Sequence, residues 1–323
     1  METRSLGKSG LRVSAVGVGC NNFGMGIDEA GTKAVVNKAL DLGITLFDTA
    51  DVYGGSGNSE IFLGKALGTK RKDIVLATKF GMKMGEGWQL RGGGSRDYIM
   101  RAVEASLRRL GTDYIDLYQI HQPDTGTPVE ETMRALDDVV RQGKVRYIGH
   151  SNFAGWQTAD AAWTARTRNL TAFVSAQNRY SLLTRDIEKE LVPACENHGV
   201  SILPYFPLES GLLTGKYKHG QKPTEGTRWS TWSQFAPGYA AQFFSDEKFA
   251  QVGKLQSLCD KYGHTMLDMA VGWLLSKGYV ASVIAGATRP EQLEQNVKAA
   301  AWRPGAEEAG KIDEITALPK SLF

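Results

Sequence analysis

The most constraining feature of this sequence is a rhythm in which short apolar runs, rich in β-branched residues, alternate with longer amphipathic stretches. Each apolar run is continuous, and polar residues bound it on both sides. Continuous runs are typical of parallel strands that are covered on both faces of a sheet. Strands are therefore predicted at residues 13–20, 43–50, 73–80, 114–121, 145–152, 173–180, 200–207 and 280–287.

The stretches between these runs have helical periodicity and carry helix-capping residues. The helix predicted at 95–111 opens with a serine and closes with a glycine, and that at 128–143 opens with a proline and closes with a glycine. These residue types are favoured at the respective helix ends. The other helices are predicted at residues 28–43, 155–167, 185–198, 247–262 and 290–300.

The number of alternating elements distinguishes two α/β architectures. Eight strands alternating with helical stretches favour a closed (β/α)8 TIM barrel over an open doubly wound sheet. No linker divides the chain, so residues 1–323 are predicted to form a single domain. Residues 4–14 are predicted to form a β-hairpin beneath the barrel, and residues 217–246 a long ordered loop over the opposite, C-terminal face.

Composition excludes several classes of protein. The 323 residues are 42% apolar and 23% charged, with a net charge of +3 and no dense basic run, so nucleic-acid binding is not expected. The three cysteines are widely spaced and the N-terminal segment has no apolar core, which favours a cytoplasmic protein without a secretion signal. Polar residues interrupt the apolar run at 271–287, so no membrane span is predicted.

Titratable residues collect at the ends of successive predicted strands. Asp48 ends the second strand, Tyr53 follows it in the segment FDTADVYG, Lys79 ends the third strand and His121 the fourth. In a barrel, the carboxyl ends of all strands surround one crevice. Each residue alone is more often a turn, a cap or a solvated side chain than a catalyst. Their joint occurrence on consecutive strands predicts a shared site.

This set of side chains suits proton transfer to a carbonyl oxygen. A phenol has a pKa of about 10, and a neighbouring ammonium group lowers that pKa. Asp48 can supply the counter-charge that Lys79 needs, and His121 can donate a hydrogen bond to an oxygen. Preorganised donors matter most where negative charge develops on oxygen, as when hydride is delivered to an aldehyde or ketone.

The sequence resembles the aldo-keto reductase family over essentially its whole length. The resemblance lies in the ordered segments LGKSGLRVSAVGVG, FDTADVYG, LATKFG, DYIDLYQIHQPD, GKVRYIGHSNF, QNRYS, PLESGLLTGKY and AGATRPEQLEQN. It implies a (β/α)8 barrel and a catalytic tetrad at Asp48, Tyr53, Lys79 and His121. It further implies that Tyr53 is the acid in reduction or the base in oxidation, that Lys79 lowers the pKa of Tyr53, and that His121 orients the carbonyl.

The cofactor implied by the resemblance is NADPH, extended across the barrel mouth, with NADH as a second possibility. The chain has no G-x-G-x-x-G motif, which argues against a Rossmann domain. The resemblance assigns the nicotinamide amide to Ser151, Asn152 and Gln177, and the stacking ring to Tyr205. It assigns the pyrophosphate to Pro207, Leu208, Gly211, Lys216 and Arg228, and the adenosine end to Gly286, Thr288, Arg289, Gln292 and Asn296.

The preference for NADPH over NADH is expected to depend on Arg289. Some members of the family carry a lysine at the position of Gly286, where it contacts the 2′-phosphate, whereas here Arg289 is the well-placed cation. An arginine beside a helix N-terminus favours phosphate binding. A second departure is Phe206, where many relatives carry a serine.

Aromatic side chains in the predicted loops are the candidates for the walls of a substrate pocket. They are Phe23, Trp88, Trp229, Trp232 and Phe235. A pocket of this composition is apolar and has few charges. The expected substrates are therefore aldehydes, ketones or sugars, and the sequence does not choose among them. It leaves the direction of the reaction and the oligomeric state open as well.

Three other functions are compatible with parts of the pattern. A strand-end lysine could form a Schiff base in an aldolase, although the company of Tyr53, Asp48 and His121 argues against it. The chain also looks like the β-subunits of voltage-gated potassium channels, so an NADPH-binding regulatory protein is an alternative. A metal hydrolase is not expected, because no two histidines stand at metal-ligand spacing.

Overall fold

The structure is a computed structural model that describes residues 1–85, 91–221, 225 and 228–317, apart from the side chains at 228, 231, 232, 235 and 239. A short antiparallel hairpin comes first, formed by β1 (Thr3–Ser5) and β2 (Arg12–Ser14). The parallel sheet follows, and its strands are β3 (Val16–Gly19), β4 (Leu46–Asp48), β5 (Val75–Phe80), β6 (Ile115–Ile120), β7 (Val145–Ser151), β8 (Phe173–Gln177), β9 (Ser201–Ile202) and β10 (Val283–Gly286).

The parallel sheet closes into a barrel. Neighbouring strands pair in the order β10-β3-β4-β5-β6-β7-β8-β9. The two remaining edges are joined by hydrogen bonds from Ala281 N to Ile202 O and from Ile284 N to Pro204 O, both 3.1 Å long. The predicted (β/α)8 class is confirmed, and each predicted run contains one strand, although the strands are shorter than the runs.

Helices surround the barrel. They are α1 (Glu29–Asp41), α2 (Tyr53–Ser56), α3 (Asn58–Leu67), α4 (Arg96–Leu110), α5 (Val129–Arg141), α6 (Gly155–Arg168), α7 (Leu191–His198), α8 (Arg228–Phe235), α9 (Pro237–Ala241), α10 (Asp246–Tyr262), α11 (Met266–Ser276), α12 (Pro290–Ala299) and α13 (Ala306–Thr316). Local capping explains several boundaries. The Ser95 hydroxyl accepts from Tyr98 N at the start of α4, and Gly111 ends that helix in the left-handed conformation.

Several elements differ from the sequence-based predictions. Residues 217–246, predicted as a loop, contain the short helices α8 and α9. The helix predicted at 185–198 begins only at Leu191, after a 3₁₀ turn at Asp186–Glu188. Helices α3, α11 and α13 were not predicted. Helix α11 is buried over nearly its whole length, so it lacks the polar face by which amphipathic periodicity is recognised.

The hairpin covers the end of the barrel where the strands begin. Lys8 N donates to Gly199 O at 2.9 Å, and Gly7 N donates to Ser201 Oγ at 2.8 Å, both just before or within β9. Gly7 has a φ of +58°, and a Cβ there would lie 2.5 Å from Val174 O, so the close approach requires glycine. The hairpin thus closes the bottom, as predicted, and leaves the other end for the site.

The barrel interior changes from apolar to polar along β4, β5 and β6. Its lower layer is a buried cluster composed of Leu6, Val13, Leu46, Val75, Ala77, Leu117, Leu203, Ala281 and Ile284. Strand side chains alternate between the two faces with a period of two. The residues two positions after Leu46, Ala77 and Leu117 therefore also face inward, and those residues are Asp48, Lys79 and Gln119.

Candidate active site

The centre of the candidate site is a buried ion pair between neighbouring strands. The Lys79 ammonium is fully buried and donates to Asp48 Oδ2 at 2.5 Å and to Thr49 O at 3.0 Å. Asp48 is only 3% exposed. Burial acts to lower the pKa of Lys79, but Asp48 and Tyr53 together outweigh burial and hold the pKa above its ordinary value. The lysine is thus a fixed positive charge at the barrel mouth.

Two glutamines hold the other oxygen of Asp48. Gln119 Nε2 donates to Asp48 Oδ1 at 3.0 Å, and Gln177 Nε2 donates to the same oxygen at 2.9 Å. Gln177 was predicted to contact a nicotinamide amide, and in this structure its amide nitrogen is engaged by Asp48. Gln119 was missed by sequence reasoning. It pairs with Lys79 across β5 and β6, so the available signal was a polar residue two positions before His121, on the same face of the strand.

Tyr53 is the first residue of α2 and reaches this ion pair just after the loop that follows β4. The Lys79 ammonium lies 5.1 Å from the centre of the Tyr53 ring. The Tyr53 hydroxyl lies 3.4 Å from His121 Nε2, and the two rings meet edge to face. The structure therefore brings together Asp48, Tyr53, Lys79 and His121, the four residues that the strand-end pattern singled out.

Burial controls the protonation of the two rings. Burial raises the pKa of Tyr53 above its ordinary value; the charge of Lys79 acts in the opposite direction but does not outweigh burial. Burial, assisted by the Lys79 charge, lowers the pKa of His121 to about 3. At neutral pH the phenol therefore carries its proton and the imidazole is neutral. The lowering effect expected from Lys79 is present, but it is the smaller of the two effects on Tyr53.

Polar residues of the next strand ends continue the site toward β9. Ser151 Oγ donates to Gln177 O at 2.7 Å. Asn152 adopts a left-handed backbone conformation with φ +61°, and its Nδ2 donates to His121 O at 2.9 Å. Tyr205 Oη donates to Asn152 Oδ1 at 2.7 Å. Hydrogen bonds thus connect the predicted nicotinamide residues to the strand that ends beside His121.

The segment after β9 has an unusual backbone. Phe206, Glu209 and Ser210 have φ values of +52°, +44° and +56°. Positive φ is costly for residues other than glycine and persists only where the surroundings impose it. Gly211 follows at φ +94°, and a Cβ at Gly211 would lie 2.9 Å from Lys216 Nζ. The turn therefore brings the Lys216 ammonium against glycine backbone.

Glu209 anchors this segment from inside the protein. Its carboxylate is fully buried and accepts from Arg179 at 2.6 Å, Lys248 at 3.0 Å, Ser181 at 2.7 Å and Thr184 at 2.8 Å. Burial acts to raise the pKa of Glu209, but the two cations and the hydroxyl groups outweigh it and hold the pKa below its ordinary value. Sequence reasoning did not identify Glu209, because its partners are distant in the chain.

The start of α12 gathers the residues predicted around the adenosine end. Gln292 Oε1 accepts from Thr288 N at 2.7 Å and from Arg289 N at 3.2 Å, and thereby caps the helix. Arg289 is exposed, whereas Asn296 is buried. Gly286 at the end of β10 is exposed, and a Cβ there would lie 3.1 Å from Asn21 Oδ1. A side chain at Gly286 would therefore narrow the open space between Gly286 and the loop after β3, which we call the cradle.

Comparison with known proteins shows the family to which the chain belongs. A family model described as the aldo/keto reductase family matches residues 15–317. The chain belongs to the aldo/keto reductase family. As a member of this family of carbonyl-reducing enzymes, it is an NAD(P)H-dependent oxidoreductase.

Three relatives illustrate the range of proteins that the chain is similar to. A Schizosaccharomyces pombe protein, provisionally named as a voltage-gated potassium channel subunit beta, is 38% identical over 97% of this chain and 92% of the relative. An uncharacterized oxidoreductase of Bacillus subtilis is 38% identical over 93% of this chain and 91% of its own. L-Glyceraldehyde 3-phosphate reductase of Escherichia coli K12 is 35% identical over 93% and 87%.

The residues predicted to line a substrate pocket of this aldo/keto reductase have diverse surroundings. Phe23 is fully buried in the main hydrophobic core, which counts against its predicted role as a pocket wall. Trp229 is partly buried and packs against Tyr217, Phe244 and Phe249. Trp88 lies outside the described residues, and so do the side chains of Trp232 and Phe235. The side chain of Arg228, which was predicted at the pyrophosphate, lies outside the described part of the reductase as well.

Three further features of the structure concern the cysteines, metal binding and membrane-spanning helices. Cys20, Cys195 and Cys259 are buried free thiols. Among the described residues, no group of three or more histidine, cysteine or acidic side chains is arranged to hold a metal ion. Within the described ranges of the reductase, no helix combines the length and the apolar character needed to cross a lipid bilayer.

Proposed function

We propose that the protein reduces aldehydes or ketones with NADPH and that Tyr53 is the general acid. The observation that carries this proposal is the fully buried Lys79 ammonium, which is held by Asp48 and lies 5.1 Å from the Tyr53 ring at the open end of the barrel. A phenol beside a fixed cation can give up its proton as negative charge develops on a carbonyl oxygen.

Each residue of the site has a separate task in this proposal. Tyr53 is protonated at neutral pH, because burial raises its pKa, and it donates that proton to the product oxygen. Lys79 then stabilises the phenolate, since an adjacent opposite charge favours the ionised form. Asp48 keeps the ammonium in place, with Gln119 and Gln177 on its second oxygen. Neutral His121, beside the Tyr53 hydroxyl, orients the carbonyl group.

The residues present fit a nicotinamide dinucleotide. Exposed Gly286 leaves open a cradle that a Cβ would narrow, and the Lys216 ammonium lies against the left-handed turn at Gly211, where an anion can be held. In this proposal Ser151, Asn152 and Tyr205 hold the nicotinamide end, and Arg289 holds the 2′-phosphate. The bound cofactor supplies the hydride.

Replacement of the proposed acid tests the function directly. We expect Tyr53→Phe to lower kcat by about 10²–10⁴-fold, because the proton donor is lost, while NADPH still quenches tryptophan fluorescence as in the wild type. Tyr114→Phe is the matched control, because Tyr114 lies just before β6, at the hairpin end of the barrel. Reduction of a simple aldehyde by Tyr53→Phe at the rate of the control would refute the assignment.

The choice of NADPH is tested at Arg289. We expect the wild type to have a higher kcat/KM with NADPH than with NADH, and Arg289→Ala to lose about tenfold with NADPH alone, because a charged hydrogen bond to the 2′-phosphate disappears. Equal efficiency of the wild type with the two cofactors would eliminate this part of the proposal.

A regulatory function is the second candidate, and the similarity to proteins named as potassium channel β subunits favours it. A panel of aldehydes, ketones and sugars, including L-glyceraldehyde 3-phosphate because of the E. coli relative, separates the two. Steady turnover supports the enzyme, whereas tight NADPH binding without turnover supports the regulatory protein.

The single domain over 1–323 and the cytoplasmic location stay predictions.

A further inference from the structure

Asp51 is a buried acid beside the candidate site to which the proposed chemistry gives no task. It lies in the loop between β4 and Tyr53, and only 2% of its surface is exposed. Asp51 N donates to Lys79 O at 3.0 Å, so its backbone already connects this loop to β5. Its side chain reaches a different neighbour, Tyr98, in the first turn of α4.

The Tyr98 hydroxyl lies between two acceptors. It is 3.3 Å from Asp51 Oδ2 and 3.2 Å from Met82 O. Met82 belongs to the loop that follows Lys79, so this hydroxyl joins the loop that carries Tyr53 to the loop behind the lysine. A phenol has a single proton to donate, and it cannot serve two acceptors fully. Both contacts become full hydrogen bonds if one of the partners supplies a proton of its own, and the Met82 carbonyl oxygen has none.

The surroundings of Asp51 favour Asp51 as the partner that supplies this second proton. The charged and titratable groups that face Asp51 are Glu60 on α3, Arg109 and Tyr98 on α4, and Tyr118 on β6. Glu60 is paired, because Arg109 Nε donates to it at 2.6 Å. Asp51 Oδ1 is buried and has no hydrogen-bond partner among the described residues. Arg109 is thus bound directly to Glu60 and not to Asp51, and a buried carboxylate next to a second carboxylate is costly, whereas the neutral acid is not.

We propose that Asp51 is a positioning residue that keeps its proton below neutral pH and donates a hydrogen bond to the Tyr98 oxygen, while the Tyr98 hydroxyl donates a hydrogen bond to Met82 O. This directed chain satisfies both acceptors of the hydroxyl group. It holds the Tyr53 loop against the loop after Lys79, and so fixes the distance between phenol and ammonium. The proposal rests on the proposed function for the roles of those two residues.

Loss of the Asp51 proton reverses the chain. The Asp51 carboxylate then accepts the hydrogen bond of the Tyr98 hydroxyl, and Met82 O is left without a donor. The new charge is also repelled by Glu60. Burial, together with Glu60, raises the pKa of Asp51 to about 7, so the reversal falls within the working range of most enzymes. Above that pH the two loops are coupled less firmly.

Infrared spectroscopy tests the proton without any substrate. We expect the wild type at pH 6 to show the carbonyl stretch of a protonated carboxylic acid, which Asp51→Asn removes and which titrates away with a midpoint near pH 7. Asp160→Asn, an exposed acid on α6, should retain the band. Absence of the band from the wild type, or its loss in Glu60→Gln but not in Asp51→Asn, would overturn the proposal.

The pH profile of reduction tests the positioning role. We expect kcat/KM of the wild type and of Asp160→Asn to fall about tenfold between pH 7 and pH 9. Asp51→Asn should lack this fall, because its amide still donates to Tyr98 and does not titrate. Tyr98→Phe should lower kcat several-fold at pH 6 and shift the infrared band, since the acid loses its acceptor. An unchanged profile in Asp51→Asn contradicts the role.

These two measurements also separate this proposal from the proposed function. If the protein reduced no carbonyl compound, the infrared band would still report whether Asp51 is protonated, and the proposed function alone would fall. If Asp51→Asn did not fold, the wild-type titration and the Tyr98→Phe band shift would remain, and absence of either would refute the directed chain.

Discussion

Two buried carboxylates in this molecule each hold a lysine, yet their surroundings differ in a way that separates chemistry from anchoring. Asp48 holds Lys79 at 2.5 Å between two barrel strands. Glu209 holds Lys248 at 3.0 Å in the segment after β9. We call the first group, with Tyr53 and His121, the strand-end cluster. We call the second, with Arg179, Ser181 and Thr184, the loop-anchor cluster.

The two clusters differ in the groups that surround each lysine. In the loop-anchor cluster the carboxylate is shared by Arg179 and Lys248, and burial lowers the pKa of Lys248. In the strand-end cluster Lys79 is the single cation that faces the Asp48 carboxylate, and the pKa of Lys79 is raised. The protonated phenol of Tyr53 lies beside the Lys79 ammonium. Burial of an ion pair therefore does not mark a reactive site by itself. A neighbouring group that can change its protonation state does.

The largest expected effect tests whether the two lysines are interchangeable. Lys79→Met should lower kcat by about 10²-fold or more, because the phenolate of Tyr53 loses its adjacent charge. Lys248→Met should raise the KM for NADPH and leave kcat within about threefold. Circular dichroism checks that both variants fold, and steady-state kinetics gives both constants. Equal losses of kcat in the two variants would contradict the distinction.

The next effect concerns stability and is expected at the loop-anchor cluster. Glu209→Gln leaves the partly buried Arg179 and Lys248 without their shared carboxylate. We expect a loss of about 3 kcal/mol, at the lower end of the cost of breaking a buried pair. Urea unfolding measures the loss, with Glu314→Gln, an exposed residue of α13, as the control. At saturating NADPH the folded variant should keep most of its kcat. A loss of turnover without any loss of stability would place Glu209 in the chemistry instead.

The smallest expected effect is on the pH dependence of stability, and it concerns two buried histidines. The pKa values of His121 and His150 are both lowered to about 3 by burial, while the unfolded chain binds protons near pH 6.5. The unfolded state therefore holds more protons below pH 6.5, and stability falls as the pH falls, by about 2 kcal/mol per histidine at pH 5.

Only one of these histidines belongs to the strand-end cluster. His150 stacks on Phe153 and contacts Thr158. Both His121→Phe and His150→Phe should flatten the pH dependence of unfolding between pH 7 and pH 5, whereas only His121→Phe should lower kcat. If His150→Phe lowered kcat as much as His121→Phe, the assignment of His121 alone to the strand-end cluster would be contradicted. If neither variant changed the unfolding profile, the lowered pKa values of the two histidines would be contradicted.

Much of the fold could be predicted because its signals are local. Continuous apolar runs located each strand of the parallel sheet, and capping residues such as Ser95 located helix ends. Prediction failed where the local signal was absent. Helix α11 is buried nearly all around and shows no polar face, and α3 follows directly on the glycine-rich turn that carries Tyr53.

Prediction of the candidate site had the same limit. Asp48, Lys79 and His121 were found because they end strands, and strand ends of a barrel share one rim. Gln119 stands inside a strand and was missed, although the period of two places it inward. Phe23 was predicted as a pocket wall because it is an aromatic residue of a predicted loop, and in the structure it lies within the hydrophobic core.

The sequence by itself determined the barrel and the side chains gathered at its rim, because strand periodicity and strand termination are properties of short segments. Only the tertiary structure decided how those side chains are charged. The pKa of Tyr53 depends on burial and on Lys79, and that of Asp51 on burial and on Glu60. Such effects sum contributions from residues far apart in the chain, and no local pattern contains that sum.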